Sequence, residues 1–249
     1  RTFGSRLLFW RVRGIIAINK IIIDELKKTF PRSRVRYTAE PNGVDVTMFA
    51  PQDKAEARVA LGLPTDARIV LYTGRFYSWK GLEIIPRAAA LTPEIHWQMV
   101  GDTREKFIAE VEESPPENIH FAGGRPYSEM PLWNAVADAV LVLGTKRNEQ
   151  SYRWTSPMKL FEHMAAGRPI VASATPAVKD AVSDSEAILY EPDNAKDLAD
   201  KARQAVADGV GIVELVSRAA QAVQRFAWNE RAKRVIQFIK STLNESISR

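Results

Sequence analysis

The chain has 249 residues, of which 45% are hydrophobic and 26% charged, so it can bury the core of one large domain or two small ones. It has no cysteine, which excludes disulfides and thiolate metal sites, and its three histidines (His96, His120 and His163) are not spaced as a metal site requires. No segment resembles a signal peptide or a membrane span, which needs about 20 apolar residues.

Positive charge is concentrated in the first segment of the chain. Residues 1–36 contain ten lysines and arginines against two acidic residues, a net charge of +8, whereas the whole chain carries +5. Apolar residues lie among the arginines of residues 1–14, and this pattern fits two interpretations. One is a helix that packs on a domain outside this sequence, and the other is contact with an anionic membrane. The rest of the chain is slightly acidic, so nucleic-acid binding is not favoured.

The first elements predict the end of a separate α/β domain. Residues 14–19 read as a strand, 20–30 as a helix and 33–39 as a second strand, followed by the turn-rich "PNGVD". Because the chain starts with arginine and not methionine, we expect that a longer protein has been cut. The predicted division is a truncated N-terminal domain at 1–40, a linker at 41–50, a main domain at 51–226 and a C-terminal helix at 227–249. That helix is amphipathic, with Ala232, Val235, Ile236, Ile239 and Leu243 along one side.

From residue 67 onward, short apolar runs alternate with helical segments. The predicted strands are 67–74, 94–101, 118–123, 139–144, 169–173 and 187–192. The predicted helices lie near 80–91, 103–113, 128–137, 156–166, 175–182 and 195–208. Continuously apolar strands separated by helices are typical of a parallel sheet covered on both faces. The pattern therefore predicts an α/β fold, with a doubly wound, Rossmann-like parallel sheet.

In such sheets, ligands bind at the carboxyl ends of the strands where the winding order reverses. With the strand order 3-2-1-4-5-6, that point lies between the first and fourth strands. The loop after the first strand is "TGRFYSWKG", and the loop after the fourth is "GTKRNEQSYRWT". These two loops are the place to look for a site.

The first loop carries two cations where a dinucleotide-binding protein would have its glycines. It lacks the G-x-G-x-x-G motif and has Arg75 and Lys80 instead. Such a pair can neutralise a diphosphate and stabilise it as it departs. The alternative is that both are solvated loop residues.

The second loop leads into a helix whose start is suited to an anion. Ser156 is expected to cap this helix and Pro157 to take its first position, which would leave the amides of Met158, Lys159 and Leu160 free to bind phosphate oxygens. A lysine in the first turn opposes the helix dipole unless an anion binds there. Glu162, one turn later, is a candidate for binding ribose hydroxyls; alternatively it forms a surface ion pair with Lys159.

Four other polar residues favour structural interpretations. We expect His96 and His120, within strands, to be packing residues or hydrogen-bonded core histidines, and His163 to lie on a helix surface. Asp102 is expected to cap the helix at 103–113.

Taken in order, the motifs resemble those of GT-B fold glycosyltransferases, family 4, also called glycosyl transferases group 1. The resemblance covers roughly residues 14–240 and rests on "PNGVD", "YTGRFYSWKGLE", "VGD", "IHFAG", "SPMKLFEHMAAGRPIVAS" and "FAWNERAKRVIQFI". It implies that the main domain is the C-terminal, donor-binding half of a GT-B fold and that residues 1–40 belong to the acceptor half. The family transfers a sugar from a nucleotide sugar with retention, without a required metal, and the leaving phosphate assists as base.

The resemblance also implies roles for individual residues. Arg75 and Lys80 match the cations that hold the donor diphosphate and act in catalysis, with Met158, Lys159 and Leu160 as the phosphate-binding helix start. Glu162 matches the ribose-binding second glutamate of an E-x7-E motif. Gly123, Gly124 and Arg125 follow the third strand, where the family's nucleotide base packs. One position departs from the pattern, because Trp154 stands where the first, sugar-contacting glutamate is expected; Glu149 or Arg153 are the candidates to replace it.

These features predict the donor-binding portion of a retaining hexosyltransferase that uses a UDP- or GDP-linked sugar and a glycan or lipid-linked acceptor. The expected location is the cytoplasm, with peripheral contact at the inner face of the membrane as an alternative. A second hypothesis is a non-catalytic nucleotide-sugar-binding module or inactive homologue. A sugar-nucleotide epimerase ranks last, since no acid–base carboxylates can be placed for it.

Overall fold

The computed structural model describes residues 9, 11–31, 33–207 and 209–247. Most of the basic segment at residues 1–14, with its predicted membrane or domain contact, therefore lies outside the described residues. Phe9, which belongs to this segment and is described, stacks on Phe30 with the ring centroids 3.8 Å apart. No helix among the described residues is long and apolar enough to cross a membrane.

The described chain begins with a small strand–helix–strand unit. Its elements are β1 (Gly14–Ala17), α1 (Lys20–Thr29) and β2 (Arg36–Ala39), and the two strands pair in parallel, with Gly14 opposite Arg36. Asn19 caps α1, since its side chain accepts from the amide of Ile22. The three elements predicted for this region are confirmed.

A six-stranded parallel sheet forms the main domain. Its strands are β3 (Arg68–Thr73), β4 (Ile95–Val100), β5 (Ile119–Phe121), β6 (Ala139–Val142), β7 (Ile170–Ser173) and β8 (Ile188–Tyr190). The order across the sheet is β5-β4-β3-β6-β7-β8, which is the predicted order 3-2-1-4-5-6 when counted within this domain. The central strands β6 and β7 are buried along their whole length because helices cover both faces.

The helices of the main domain form two layers. They are α2 (Lys54–Leu61), α3 (Ile84–Leu91), α4 (Arg104–Val111), α5 (Met130–Ala135), α6 (Met158–Ala165), α7 (Pro176–Lys179), α8 (Ala195–Val206) and α9 (Val210–Ala222). One apolar core contains residues of α5, α6 and α7, and the other contains residues of α3 and α8 on the opposite face. The α/β, doubly wound prediction is confirmed, whereas α2 and α9 were not predicted from the sequence.

The C-terminal helix α10 (Trp228–Ile247) returns to the N-terminal unit. Arg234 pairs with the buried carboxylate of Glu40 at 2.9 Å, and Val44 forms a parallel bridge with Ala227. The apolar side predicted for this helix is not fully buried, because Ile236, Ile239 and Leu243 are each about half exposed.

Candidate functional site

The winding of the sheet reverses between β3 and β6. These strands are neighbours, yet the helices that follow them, α3 and α6, contribute to cores on opposite faces. The loops after the two strands therefore lie together at the carboxyl edge of the sheet. The turn Ser78–Lys80 of the first loop contacts the π-helical turn Gln150–Trp154 of the second. The structure brings the two predicted loops to one place.

The end of β4 supports the loop after β3. A Cβ atom on Gly101 would lie 2.0 Å from the carbonyl oxygen of Gly74, so only glycine allows these two backbone segments to approach so closely. The carboxylate of Asp102 accepts from the amide of Phe76 at 2.7 Å, and Glu110 accepts from the amide of Ser78 at 2.6 Å. The loop is thus held at two amides.

The role predicted for Asp102 as a helix cap is wrong. Thr103 caps α4 by accepting from the amide of Lys106, while the carboxylate of Asp102 turns back toward the loop after β3. The two residues are adjacent and both are common at N-caps, with aspartate the more favoured, so the sequence pointed to the wrong one.

Lys80 lies within this loop with a perturbed ammonium group. Its Nζ donates to the carbonyl oxygen of Arg75 at 2.9 Å and lies 5.3 Å from the ring centroid of Tyr77. Burial, followed by the nearby charge of Lys159, lowers the pKa of Lys80 to about 8. The two lysines, 79 positions apart in the chain, are therefore close enough for the charge of Lys159 to act on Lys80, and a bound anion would favour the protonated form of Lys80.

Arg75 is placed more loosely than Lys80. Its side chain is 69% exposed, and its Nε lies 3.7 Å from the carboxylate of Asp102. It remains at the edge of the same loop, available to a ligand that carries negative charge.

The start of α6 differs from the prediction in its capping. Ser156 does not cap the helix; its hydroxyl accepts from the amide of Asn42 at 3.1 Å, and Pro157 occupies the N-cap position without a side-chain bond. The amides of Met158 and Leu160 are not free, since they donate to the carbonyls of Ser156 and Pro157. Of the three amides predicted to bind phosphate, only that of Lys159 has no acceptor among the described residues.

Glu162 is buried within the site, with its side chain only 3% exposed. Lys159 donates to one carboxylate oxygen at 2.8 Å, and the hydroxyl of Tyr127 donates to the other at 3.2 Å. The ion pair considered as an alternative does form, but it is not a surface pair. Each oxygen of a carboxylate can accept a second hydrogen bond, so two acceptor positions remain for a ligand.

Tyr127 is a site residue that the sequence did not reveal. Its ring lies 5.5 Å from Nζ of Lys159, and burial together with Glu162 raises the pKa of its hydroxyl to about 12. It lies 35 positions before Glu162, in the loop after β5 and not in α6, and no local pattern links the two.

The surface position predicted for His163 is wrong. The side chain is fully buried, Nδ1 lies 2.9 Å from Oδ1 of Asn134, and burial lowers the pKa of the imidazole to about 3. Its helix is covered on more than one side, by the sheet and by α5. His96 and His120 are packing residues and not core histidines: His120 is exposed and stacks on the half-buried His96 with the ring centroids 3.7 Å apart.

The loop after β5 borders the site on the side away from β6. The carbonyl of Gly123 accepts from the amide of Gly101 at 2.9 Å, which ties this loop to the end of β4. Gly124 follows, and Arg125 donates from Nε to the carbonyl of Ala122 with its guanidinium 5.6 Å from the ring centroid of Trp133. The three residues predicted to contact a base thus lie at the same edge of the sheet as the cations.

Trp154 ends the π-helical turn before α6 and is half-buried. The two residues considered as replacements for the missing glutamate, Glu149 and Arg153, pair with one another at 3.7 Å and are exposed. Neither carboxylate nor guanidinium is held toward Lys80 or Glu162 by a described hydrogen bond.

The chain is similar to known proteins in both family and fold. The sequence profile described as glycosyl transferases group 1 matches residues 53–239. The chain is 28% identical over 259 aligned positions to D-inositol 3-phosphate glycosyltransferase of Nocardioides sp., covering 95% of this chain and 55% of that protein. It therefore spans about half the length of the curated relatives it matches.

Two solved structures share the fold. Sucrose-phosphate synthase from Thermosynechococcus elongatus superposes with a TM-score of 0.76 at 23% identity, covering 97% of this chain and 61% of the other. Anabaena HepE in complex with UDP and glucose superposes with a TM-score of 0.73 at 21% identity, covering 91% of this chain and 62% of the other.

Proposed function

The chain belongs to the glycosyl transferases group 1 family, and from this we propose that it supplies the nucleotide-sugar-binding part of a retaining hexosyltransferase. The donor is a UDP- or GDP-linked sugar, and the acceptor is a glycan or a lipid-linked sugar. HepE, a protein of the same fold, has been crystallised with UDP and with UDP-glucose, which makes a uridine nucleotide the first donor to test.

The observation that carries this proposal is the convergence of Lys80 and Lys159 at the switch point of the sheet. Burial, and after it the charge of Lys159, lowers the pKa of Lys80 to about 8. Such an arrangement costs stability unless an anion binds between the two groups. A diphosphate would supply this negative charge, with Arg75 available at the rim and the amide of Lys159 at the helix start.

In this proposal the nucleoside extends from the diphosphate along α6. Glu162 accepts hydrogen bonds from the ribose hydroxyls, and one of these hydroxyls replaces the Tyr127 hydroxyl at the carboxylate. The base lies against the loop at Gly123–Arg125. Lys80 and Arg75 stabilise the negative charge that develops on the leaving diphosphate, a role that needs no metal. That phosphate takes the proton of the acceptor on the face it leaves, which gives retention.

A second candidate is a module that binds the nucleotide sugar without transferring it. It is favoured by Trp154, since no carboxylate is placed to contact the sugar at this position. The two candidates differ in whether UDP-glucose is consumed, with or without an acceptor, in the presence of the full-length protein. They share the diphosphate site and predict the same binding behaviour for the 249-residue chain.

Calorimetry of the purified chain with UDP, GDP and ADP tests the shared site. We expect binding of one diphosphate, weakened by about 1–3 kcal/mol in Lys80→Ala and in Arg75→Ala through loss of a charge-assisted hydrogen bond. Lys146→Ala is the matched control, because Lys146 lies in the loop after β6 and pairs with Glu191. No binding of any of the three nucleotides, or equal affinity in all variants, would contradict the assignment.

A further inference from the structure

Asn19 joins the N-terminal unit to the loop that precedes α6. The side chain lies between β1 and α1 and is 2% exposed. Its Oδ1 accepts from the amide of Ile22 at 2.9 Å, and its Nδ2 donates to the carbonyls of Arg153 at 2.9 Å and Thr155 at 3.0 Å. One buried amide thus binds a partner 3 positions away and two partners more than 130 positions away.

The two carbonyls that Asn19 binds lie on either side of Trp154. The first half of this loop is held without the N-terminal unit. The hydroxyl of Ser151 accepts from the amide of Thr145, and the amide of Lys146 donates to the carboxylate of Asp193. Its second half is held from outside, by Asn19 and, at Ser156, by the amide of Asn42. Two of the hydrogen bonds that position residues 153–155 therefore come from the N-terminal unit.

Residues 153–155 lie where the donor sugar is expected. In the proposed function, the diphosphate lies at the start of α6 and the ribose lies one turn into that helix, at Glu162. The sugar on the distal phosphate must then extend the other way, past the helix start and toward the turns Ser78–Lys80 and Gln150–Trp154, which contact one another.

We propose that Asn19 is a positioning residue that fixes residues 153–155 against the donor sugar and so sets the preference for nucleotide sugar over nucleotide. This inference rests on the proposed function. Asparagine suits the role because its amide combines one acceptor with two donors on a short side chain. Serine and aspartate retain the helix-capping acceptor but lack the amide that holds both carbonyls.

The test compares affinity for UDP-glucose with affinity for UDP by calorimetry, on the 249-residue chain, in the wild type, Asn19→Ser and Asn19→Asp. We expect UDP affinity to change less than about twofold and the ratio of the two affinities to fall about fivefold or more, the equivalent of one hydrogen bond. Asn194→Asp is the control, since Asn194 caps α8 with the same geometry away from the site. A variant that weakens both ligands equally, or leaves the ratio unchanged, would overturn the inference.

A second measurement needs no variant. Amide hydrogen exchange of the wild type should slow at residues 150–156 with UDP-glucose and much less with UDP. Equal protection by the two ligands would show that this loop does not contact the sugar, and Asn19 would then have a structural role only. If the wild type binds neither ligand, the proposed function fails and the inference fails with it, whereas UDP binding with an unchanged ratio defeats the inference alone.

Discussion

The ammonium group of Lys159 lies 2.8 Å from the carboxylate of Glu162, whose side chain is only 3% exposed. Pairs at this i,i+3 spacing on a helix surface contribute a few tenths of a kcal/mol. Burial changes the energetics of this pair, because the carboxylate has lost most of its water and depends on Lys159 and Tyr127 for its hydrogen bonds.

Lys159→Met should therefore destabilise the chain by about 1–3 kcal/mol, since it leaves a buried carboxylate oxygen without its charged donor. Urea unfolding at neutral pH measures the effect. The double variant Lys159→Met, Glu162→Gln should recover part of the loss because the buried charge is then removed. Lys196→Met, which breaks an exposed pair with Asp200, should change stability by no more than about 0.5 kcal/mol. Equal effects of the two lysine substitutions would be inconsistent with a buried pair.

UDP binding should weaken as the pH rises through about 8. The pKa of Lys80 is lowered to about 8 in the free protein, and a bound diphosphate favours the protonated form, so binding takes up a proton near this pH. Calorimetry between pH 7.5 and 9.5, in buffers of different ionisation enthalpy, reports both the affinity and the proton uptake.

Lys80→Arg is the matched variant for this pH dependence. Arginine keeps the positive charge and does not titrate in this range, so affinity should become nearly independent of pH. A wild type whose UDP affinity is constant between pH 7.5 and 9.5 would argue against Lys80 as a phosphate ligand.

Gly101→Ala should be strongly destabilising. The new Cβ atom would meet the carbonyl oxygen of Gly74 at 2.0 Å, and backbone must move to relieve this contact. We expect a loss of about 3 kcal/mol or more, together with loss of UDP binding, because the displaced segment carries Arg75. Gly123→Ala is the control, since Gly123 also has a positive φ of 74° but no atom lies within 4 Å of its Cβ position. Its cost should be only the conformational one, about 1 kcal/mol, and a ranking in the opposite order would refute the close-approach argument.

His163 should make the protein sensitive to acid. Burial lowers the pKa of its imidazole to about 3, whereas in the unfolded chain it takes up a proton below about 6.5. The stability it contributes is therefore complete above pH 6.5 and is lost as the pH falls toward 3, by about 2 kcal/mol at pH 5.

His163→Leu tests this dependence through the slope of stability against pH. The substitution also changes the free energy of unfolding by an amount that does not depend on pH, because the Asn134 side chain loses its partner. Between pH 7 and 5, however, the variant should lose about 2 kcal/mol less stability than the wild type. His120→Leu, at an exposed position, should keep most of the acid dependence. If both variants retain the slope of the wild type, another group is responsible.

Much of the site could be located from the sequence because it depends on topology. Continuously apolar strands and intervening helices predicted a doubly wound sheet, and the reversal of winding then placed the loops of Lys80 and Lys159 together. The roles of individual residues were less predictable. Ser156 and Asp102 are residue types that commonly cap helices, yet their side chains accept from the amides of Asn42 and Phe76 instead.

The sequence by itself determined the fold class and, once the common strand order of doubly wound sheets was assumed, the edge of the sheet that carries the site. The fold class follows from local periodicity, since each strand and helix records in its own residues which faces must be buried. Only the tertiary structure decided that Glu162 and His163 are buried, that Tyr127 binds Glu162, and that Asn19 holds the loop before α6. Those facts depend on pairs of groups brought together from distant parts of the chain, and a local pattern carries no information about which distant group will remove a side chain from water or satisfy its hydrogen bonds.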